Sequence, residues 1–314
     1  MGDLAGDTAF IHLDTDMGGD LDDLCALAML LRWPGLTITG ITTVTEDQGR
    51  RAGYVQHVLA LAEREDIPLA AGADVASGTY RFVPGYPPDA DYWPPTVQRR
   101  PGPVEDALAR LKNSIERGAA IVAIGQYTNL RLLDEQYPGI LQDANLFLMG
   151  GCVFPAPAGY LQWANEDDYN IQLDVHSARY VLEHSTPTLI PIEITCQTAL
   201  KRAYLPRLAA TGPLGQLLAH QSEAFARDNR NESTYGVYAG LPDDIINFQH
   251  DPLACAIALG WRDGVQIETI PLEITLQDGW LYERPSATGK PVRVVTAIDG
   301  ECFSDFWCDV VCGV

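Results

Sequence analysis

The segment Ile11–Leu27, IHLDTDMGGDLDDLCAL, runs from an apolar stretch into five aspartates within ten residues, Asp14, Asp16, Asp20, Asp22 and Asp23, and then into a second apolar stretch. Carboxylates this close repel one another, and a hard divalent cation that takes oxygen ligands offsets the repulsion. Calcium or magnesium suits an all-oxygen set, and the absence of His and Cys from the loop argues against zinc. Gly18 and Gly19 let the chain turn tightly around an ion. A helix N-terminus favours a negative charge, so capping by Asp22 or Asp23 accounts for one aspartate, not five.

Such a loop needs a strand before it and a helix after it, and the rest of the chain supplies that alternation. Short runs rich in branched and aromatic residues predict strands at Ala9–Leu13, Leu36–Val44, Pro68–Ala71, Ala120–Ile124, Asn145–Met149 and Thr188–Ile192. Amphipathic stretches between them predict helices over Asp22–Trp33, Arg50–Glu63, Val104–Arg117 and Asp174–His184, with Pro34 and Gly118 at helix ends. The pattern is that of βαβ units, hence one α/β domain over residues 1–314 with a mostly parallel central sheet flanked by helices. Ligands in open α/β sheets sit outside the carboxyl ends of the strands, where the acidic loop lies. From Val265 to Ile298 the sequence becomes strand-like and turn-rich, a small strand-rich C-terminal portion, before a short helix around Cys302–Val311. Two stretches break the alternation, the proline-rich Gly78–Pro103 and the aperiodic Phe154–Asp168, and loops of that length are commonly functional.

Composition narrows the partners. With 21 Lys and Arg against 42 Asp and Glu, the net charge of −21 repels polynucleotides and anionic membranes. No apolar run approaches a membrane span, and the N-terminus lacks the features of a secretory signal, so a cytoplasmic location is expected. Seven cysteines at irregular spacing fit a reduced compartment, and Cys308 and Cys312, four apart on the last helix, read as core packing.

The acidic motif, DTDMGGDLDD, resembles the Asp-x-Asp…Asp-Asp hallmark of the nucleoside hydrolases, the inosine-uridine preferring nucleoside N-ribohydrolases. Five residues separate Asp16 from Asp22, where the commonest form of the family has three. Further blocks follow in order over nearly the whole chain: GITTV at Gly40–Val44, AGA at Ala71–Ala73, IGQYTN at Ile124–Asn129, MGG at Met149–Gly151, DYN at Asp168–Asn170 and QHDP at Gln249–Pro252.

The resemblance implies calcium-dependent hydrolysis of the N-glycosidic bond of a ribonucleoside. It implies a calcium ion held by Asp16, Asp23, Asp251 and the main-chain carbonyl of Thr128, with Asp20 as a further candidate. Asp16 is the expected general base, with Asp20 as the alternative, because the longer loop leaves both within reach. His250 is the candidate acid for the departing base. Asp14, Asp22, Asp47, Asp168 and Asn170 are expected to bind substrate, and Tyr127, Trp163, Tyr235 and Tyr238 are candidates for stacking on the base. Glu193 and Thr195, in PIEIT, occupy another shared block. Relatives commonly form dimers or tetramers, so a homo-oligomer is expected.

Three departures bear on the substrate. Thr45, Glu46 and Asp47 stand where the family usually ends its second-strand block in Gly-Asn, a His-Gly-x-Asp-Gly block is replaced by the proline-rich loop, and Gln126 stands in place of a usual Pro. Two other nucleoside readings fit the same motifs, an atypical modified nucleoside as substrate and a non-catalytic, calcium-dependent nucleoside or ribose binder. A haloacid-dehalogenase-type phosphotransferase also begins with Asp-x-Asp, but lacks the Asp-Asp pair and the His-Asp-Pro.

Overall fold

A computed structural model describes residues 9–75 and 89–313. In chain order the strands are β1 (Ala9–Thr15), β2 (Leu36–Thr43), β3 (Leu69–Ala71), β4 (Ala120–Ala123), β5 (Asn145–Met149), β6 (Thr188–Ile190), β7 (Leu200–Lys201), β8 (Ile245–Asn247), β9 (Gln266–Gln277), β10 (Trp280–Pro285) and β11 (Lys290–Ala297). Nine of them form one sheet in the order β10-β9-β11-β6-β5-β4-β1-β2-β3, while β7 and β8 form a separate pair. From β3 across to β11 every neighbouring pair is parallel, and β9 and β10 continue the sheet antiparallel. The strand-rich C-terminal portion therefore extends the same sheet, with β11 beside β6.

The parallel strands are near-continuous apolar runs because both of their faces are covered. In β4, Ala120 and Val122 pack into one core with helices Asp22–Arg32, His250–Ala258 and Gly300–Cys312, while Ile121 and Ala123 pack into a second core with helices Val104–Glu116 and Thr128–Gln136. The fold is thus a mixed α/β architecture with a large, mostly parallel sheet between helical layers. Among the described residues no helix is long and apolar enough to cross a membrane.

The chain leaves β1 toward β2 and β3 on one side and returns to β4 on the other. The loops that follow β1 and β4 consequently diverge, opening a crevice at the carboxyl edge of the sheet where the strand order reverses. That crevice begins at Asp16, the first residue after β1, and Ile124, the first after β4.

Candidate active site

A cavity of about 450 Å³ occupies this crevice. One wall carries Asp16, Asp20, Asp22, Asp23 and Asp251; the facing wall carries Asp167, Asp168, Tyr169 and Asn170. Ile124, Met149 and Ile192 add apolar surface, and Trp163 and His250 complete the lining together with Gly19.

The acidic wall is built by two helix N-termini. Asp22 and Asp23 head helix Asp22–Arg32, and Asp251 lies in the first turn of helix His250–Ala258, where the helix dipoles favour carboxylates. Carboxylate oxygens of Asp22, Asp23 and Asp251 lie within 4.8 Å of one another, and all three residues are buried. Burial raises each of these three pKa values well above the ordinary range, and repulsion from neighbouring aspartates raises them further. Asp16 is also buried and raised by desolvation, but the Arg51 guanidinium and a hydrogen bond from Gln126 Nε2 (3.2 Å) counteract that shift. Asp20 is exposed at the rim and accepts from Asn247 Nδ2 at 2.6 Å. An all-oxygen cluster of buried, mutually repelling carboxylates fits a hard divalent cation.

Close packing shapes the loop that carries these groups. At Gly18, φ is +108° and an added Cβ would lie 2.5 Å from the Tyr54 ring, which itself stacks on Trp93 at 4.3 Å. Only glycine meets both conditions. Beneath the loop Arg51, 1% exposed, donates to the carbonyls of Thr45 (2.8 Å) and Met17 (3.1 Å). Arg51 carries no signal in the sequence that separates it from a surface arginine of an amphipathic helix.

Asp14 does not line the cavity. It is fully buried, and its Oδ1 accepts from Thr42 Oγ1 (2.6 Å) and Asn129 Nδ2 (2.7 Å), so its part is to tie β1 to β2 and to the start of helix Thr128–Gln136. Thr42 is in turn hydrogen-bonded to His12 Nε2 (3.0 Å), and His12 Nδ1 to Ser114 Oγ (2.8 Å). Burial lowers the His12 pKa to about 3, leaving the ring neutral.

Asp47 also lies away from the cavity. Thr45 and Gln48 take left-handed backbone angles, φ +54° and +51°, and the turn directs Asp47 outward to an ion pair with Arg99 at 3.0 Å. Its neighbour Glu46 turns inward instead and accepts from the backbone N–H groups of Arg51 and Ala52, satisfying the start of helix Arg50–Leu61. Gln126 bridges the Thr45 hydroxyl and Asp16, so this departure supports the loop and adds nothing to the cavity lining.

Thr128 is placed apart from the cavity as well. It begins helix Thr128–Gln136 and its hydroxyl donates to Asp174 Oδ2 at 2.6 Å. The residue of this segment that does line the cavity is Ile124, whose carbonyl accepts from Asn170 Nδ2 at 2.9 Å. The same amide reaches the Met149 carbonyl at 3.2 Å. Asp168 accepts from the backbone N–H groups of Ile171 (3.1 Å) and Gly151, and burial still raises its pKa to about 6.

Of the candidate aromatics, Trp163 lines the cavity with its ring 5.6 Å from that of His250. Tyr127 is fully buried with its hydroxyl on the Met149 carbonyl. Tyr235 packs behind Trp163 and Phe248, and Tyr238 joins the same apolar cluster. His250 Nδ1 is hydrogen-bonded to Thr195 Oγ1 at 2.6 Å, and loss of water around the ring lowers its pKa to about 4. Glu193 accepts from the N–H groups of Val153 (3.1 Å) and Phe154 (3.0 Å), and burial raises it to about 7. Of the two long loops, Phe154–Asp168 contributes Trp163, Asp167 and Asp168 to the cavity, while residues 76–88 of the proline-rich loop lie outside the described residues.

The sequence profile of the family described as inosine-uridine preferring nucleoside hydrolase matches residues 11–305. The chain belongs to this family. It is therefore a nucleoside hydrolase, an enzyme that cleaves the N-glycosidic bond of ribonucleosides, in a metal-dependent family. The pyrimidine-specific ribonucleoside hydrolase RihA of Salmonella schwarzengrund is 26% identical, with 79% of this chain and 78% of the relative covered. Among solved structures, a plant nucleoside hydrolase (PpNRh1) superposes with a TM-score of 0.77 at 20% identity, covering 98% of this nucleoside hydrolase and 100% of the plant chain. A purine-preferring ribonucleoside hydrolase from Gardnerella vaginalis gives 0.76 at 19% identity, covering 97% and 98%.

Proposed function

We propose that this nucleoside hydrolase acts on a ribonucleoside with a calcium ion held by Asp16, Asp23 and Asp251 and by the Ile124 main-chain carbonyl, in the place expected for Thr128. The observation that carries the reading is the convergence of buried carboxylates from two helices, Asp22 and Asp23 with Asp251, beside Asp16. A bound divalent cation lowers the pKa of water and orients it. Asp16 takes the proton from the attacking water; Arg51 and Gln126 keep it the best poised of the wall's buried carboxylates for that task. Asp22 accepts from the ribose hydroxyls. Across the cavity Asn170 spends its amide N–H groups on the Ile124 and Met149 carbonyls, leaving Oδ1 to accept from a sugar hydroxyl, while Asp168 fixes the turn that presents it. The carboxylate-rich wall stabilises the positive charge that develops on the sugar as the bond breaks. His250 is neutral, and in the tautomer whose Nδ1 accepts from the Thr195 hydroxyl it carries its proton on Nε2 and donates it to the departing base. Trp163 supplies the face on which the base rests.

Release of free base and ribose from a panel of purine, pyrimidine and modified ribonucleosides tests this. Calcium-dependent release that is lost on chelation and in Asp16→Ala is expected, and the panel reads the base preference. Calcium binding without release from any member of the panel overturns the hydrolytic assignment.

A further inference from the structure

The antiparallel edge of the sheet reaches the substrate side of the cavity. β10 pairs with β9 alone, and three successive residues of β10 hold three positions that flank the facing wall, two before it and one after. At Leu281 the side chain of Gln172 stands in for a further strand: its Nε2 donates to the Leu281 carbonyl (2.7 Å) and its Oε1 accepts from the Leu281 N–H (3.0 Å). The Tyr282 hydroxyl donates to Glu166 at 2.5 Å. Glu283, 1% exposed, turns inward, and its Oε2 accepts from Asn165 Nδ2 (2.8 Å) and from the Cys152 N–H (3.4 Å). Asn165 also donates to the Cys152 carbonyl at 3.1 Å.

Closing a sheet edge needs no buried acid. An apolar residue would serve at position 283 without the cost of desolvating a carboxyl group whose Oε1 has no hydrogen-bond partner among the described residues. What the acid adds is a junction between two stretches of the active site. Asn165 opens the 3₁₀ turn Asn165–Asp167 that leads into Asp168, Tyr169 and Asn170, and Cys152 belongs to the turn after β5, whose Gly151 N–H meets Asp168.

We propose that Glu283 is a positioning residue for substrate binding, fixing the sugar-side wall Asp167–Asn170 through Asn165 and Cys152. The proposal rests on the reading that this wall holds the sugar. It assigns β10, remote in sequence from every other site residue, a part in setting affinity for the ribonucleoside, with no part in metal binding.

Glu283→Leu and Glu283→Gln in the full chain separate this from a purely structural role. Leucine accepts no hydrogen bond, whereas glutamine keeps a carbonyl oxygen for both donors. Glu283→Leu is expected to raise KM about tenfold, with kcat and calorimetric calcium affinity within about twofold of wild type, and Glu283→Gln to restore KM to within about twofold. An unchanged KM in Glu283→Leu, an equal loss of calcium affinity, or a Glu283→Gln variant as impaired as Glu283→Leu overturns the proposal. If Glu283→Leu does not fold, Asn165→Leu removes the donor instead and is read in the same way. Should the wild type bind ribose without releasing base, the hydrolytic reading falls by itself and the same comparison is made on the dissociation constant for ribose: weaker binding in Glu283→Leu supports the positioning role, and unchanged binding removes it.

Discussion

The two walls of the cavity bury carboxyl groups by opposite means. On the Asp168 side, that residue and two buried acids outside the cavity lining have donors aimed at them: Gly151 and Ile171 N–H groups at Asp168, Val153 and Phe154 N–H groups at Glu193, Asn165 and Cys152 at Glu283. On the other side Asp22, Asp23 and Asp251 face one another, and after burial itself the largest contributions to their raised pKa values come from neighbouring carboxylates. Acids supplied with donors make a permanent wall; acids supplied mainly with one another make a site that is strained until a cation arrives. The comparison teaches that burial alone does not mark a metal site, and that the useful distinction is what each buried oxygen faces.

The largest effect that can break this contrast belongs to Asp23→Asn. Activity should fall by about 10³-fold or more, while the metal-free protein gains about 1–2 kcal/mol because one member of a repelling set becomes neutral. Calcium should raise the melting temperature of wild type and leave that of Asp23→Asn unchanged. A metal-free variant less stable than metal-free wild type would show that repulsion does not dominate this wall.

A smaller effect sharpens the other half. Burial raises the Glu283 pKa from 4.5 to about 8, so the folded protein holds a proton that the unfolded chain has already released, and stability falls as pH rises between those values. Glu283→Gln carries no such proton. Its stability relative to wild type should improve with rising pH across that window, by up to about 1.4 kcal/mol per unit, as followed by denaturant unfolding from pH 5 to 8. A difference that does not vary with pH would place an ionised carboxylate at this position. The smallest effect is that of Asp47→Ala: with its carboxylate in an exposed pair with Arg99, KM should change less than about twofold and stability by less than about 0.5 kcal/mol.

The strand–loop–helix around the five aspartates was legible in the sequence because clustered like charges between apolar runs have few physical explanations, and the parallel sheet followed from the alternation of runs. Ile124 was not legible. Its proposed contribution is a main-chain carbonyl, which every residue owns, so the motif drew attention to Thr128 four positions on, which does not line the cavity. Asp47 misled for a different reason: residue type cannot report the two left-handed backbone positions that turn its side chain outward and Glu46 inward. Glu283 lies more than a hundred residues from Asn165 and Cys152, and only the sheet order brings it back to them.

The run from Ser114 through His12 and Thr42 to Asp14 has a direction. Thr42 owns one hydroxyl hydrogen and gives it to Asp14, so its contact with His12 must be supplied by the histidine's Nε2–H, which in turn leaves Nδ1 to accept from Ser114. With Asp14 ionised, one tautomer satisfies the whole thread, and reversing a single link strands a donor against a donor. The strand end at the head of the acidic loop is thereby coupled to a serine on helix Val104–Glu116, well below the cavity. An aliphatic residue at position 12 would pack as well in β1 yet leave Thr42 held only by Asp14 and Ser114 only by Thr39, turning a wired joint beneath the active site into a looser one.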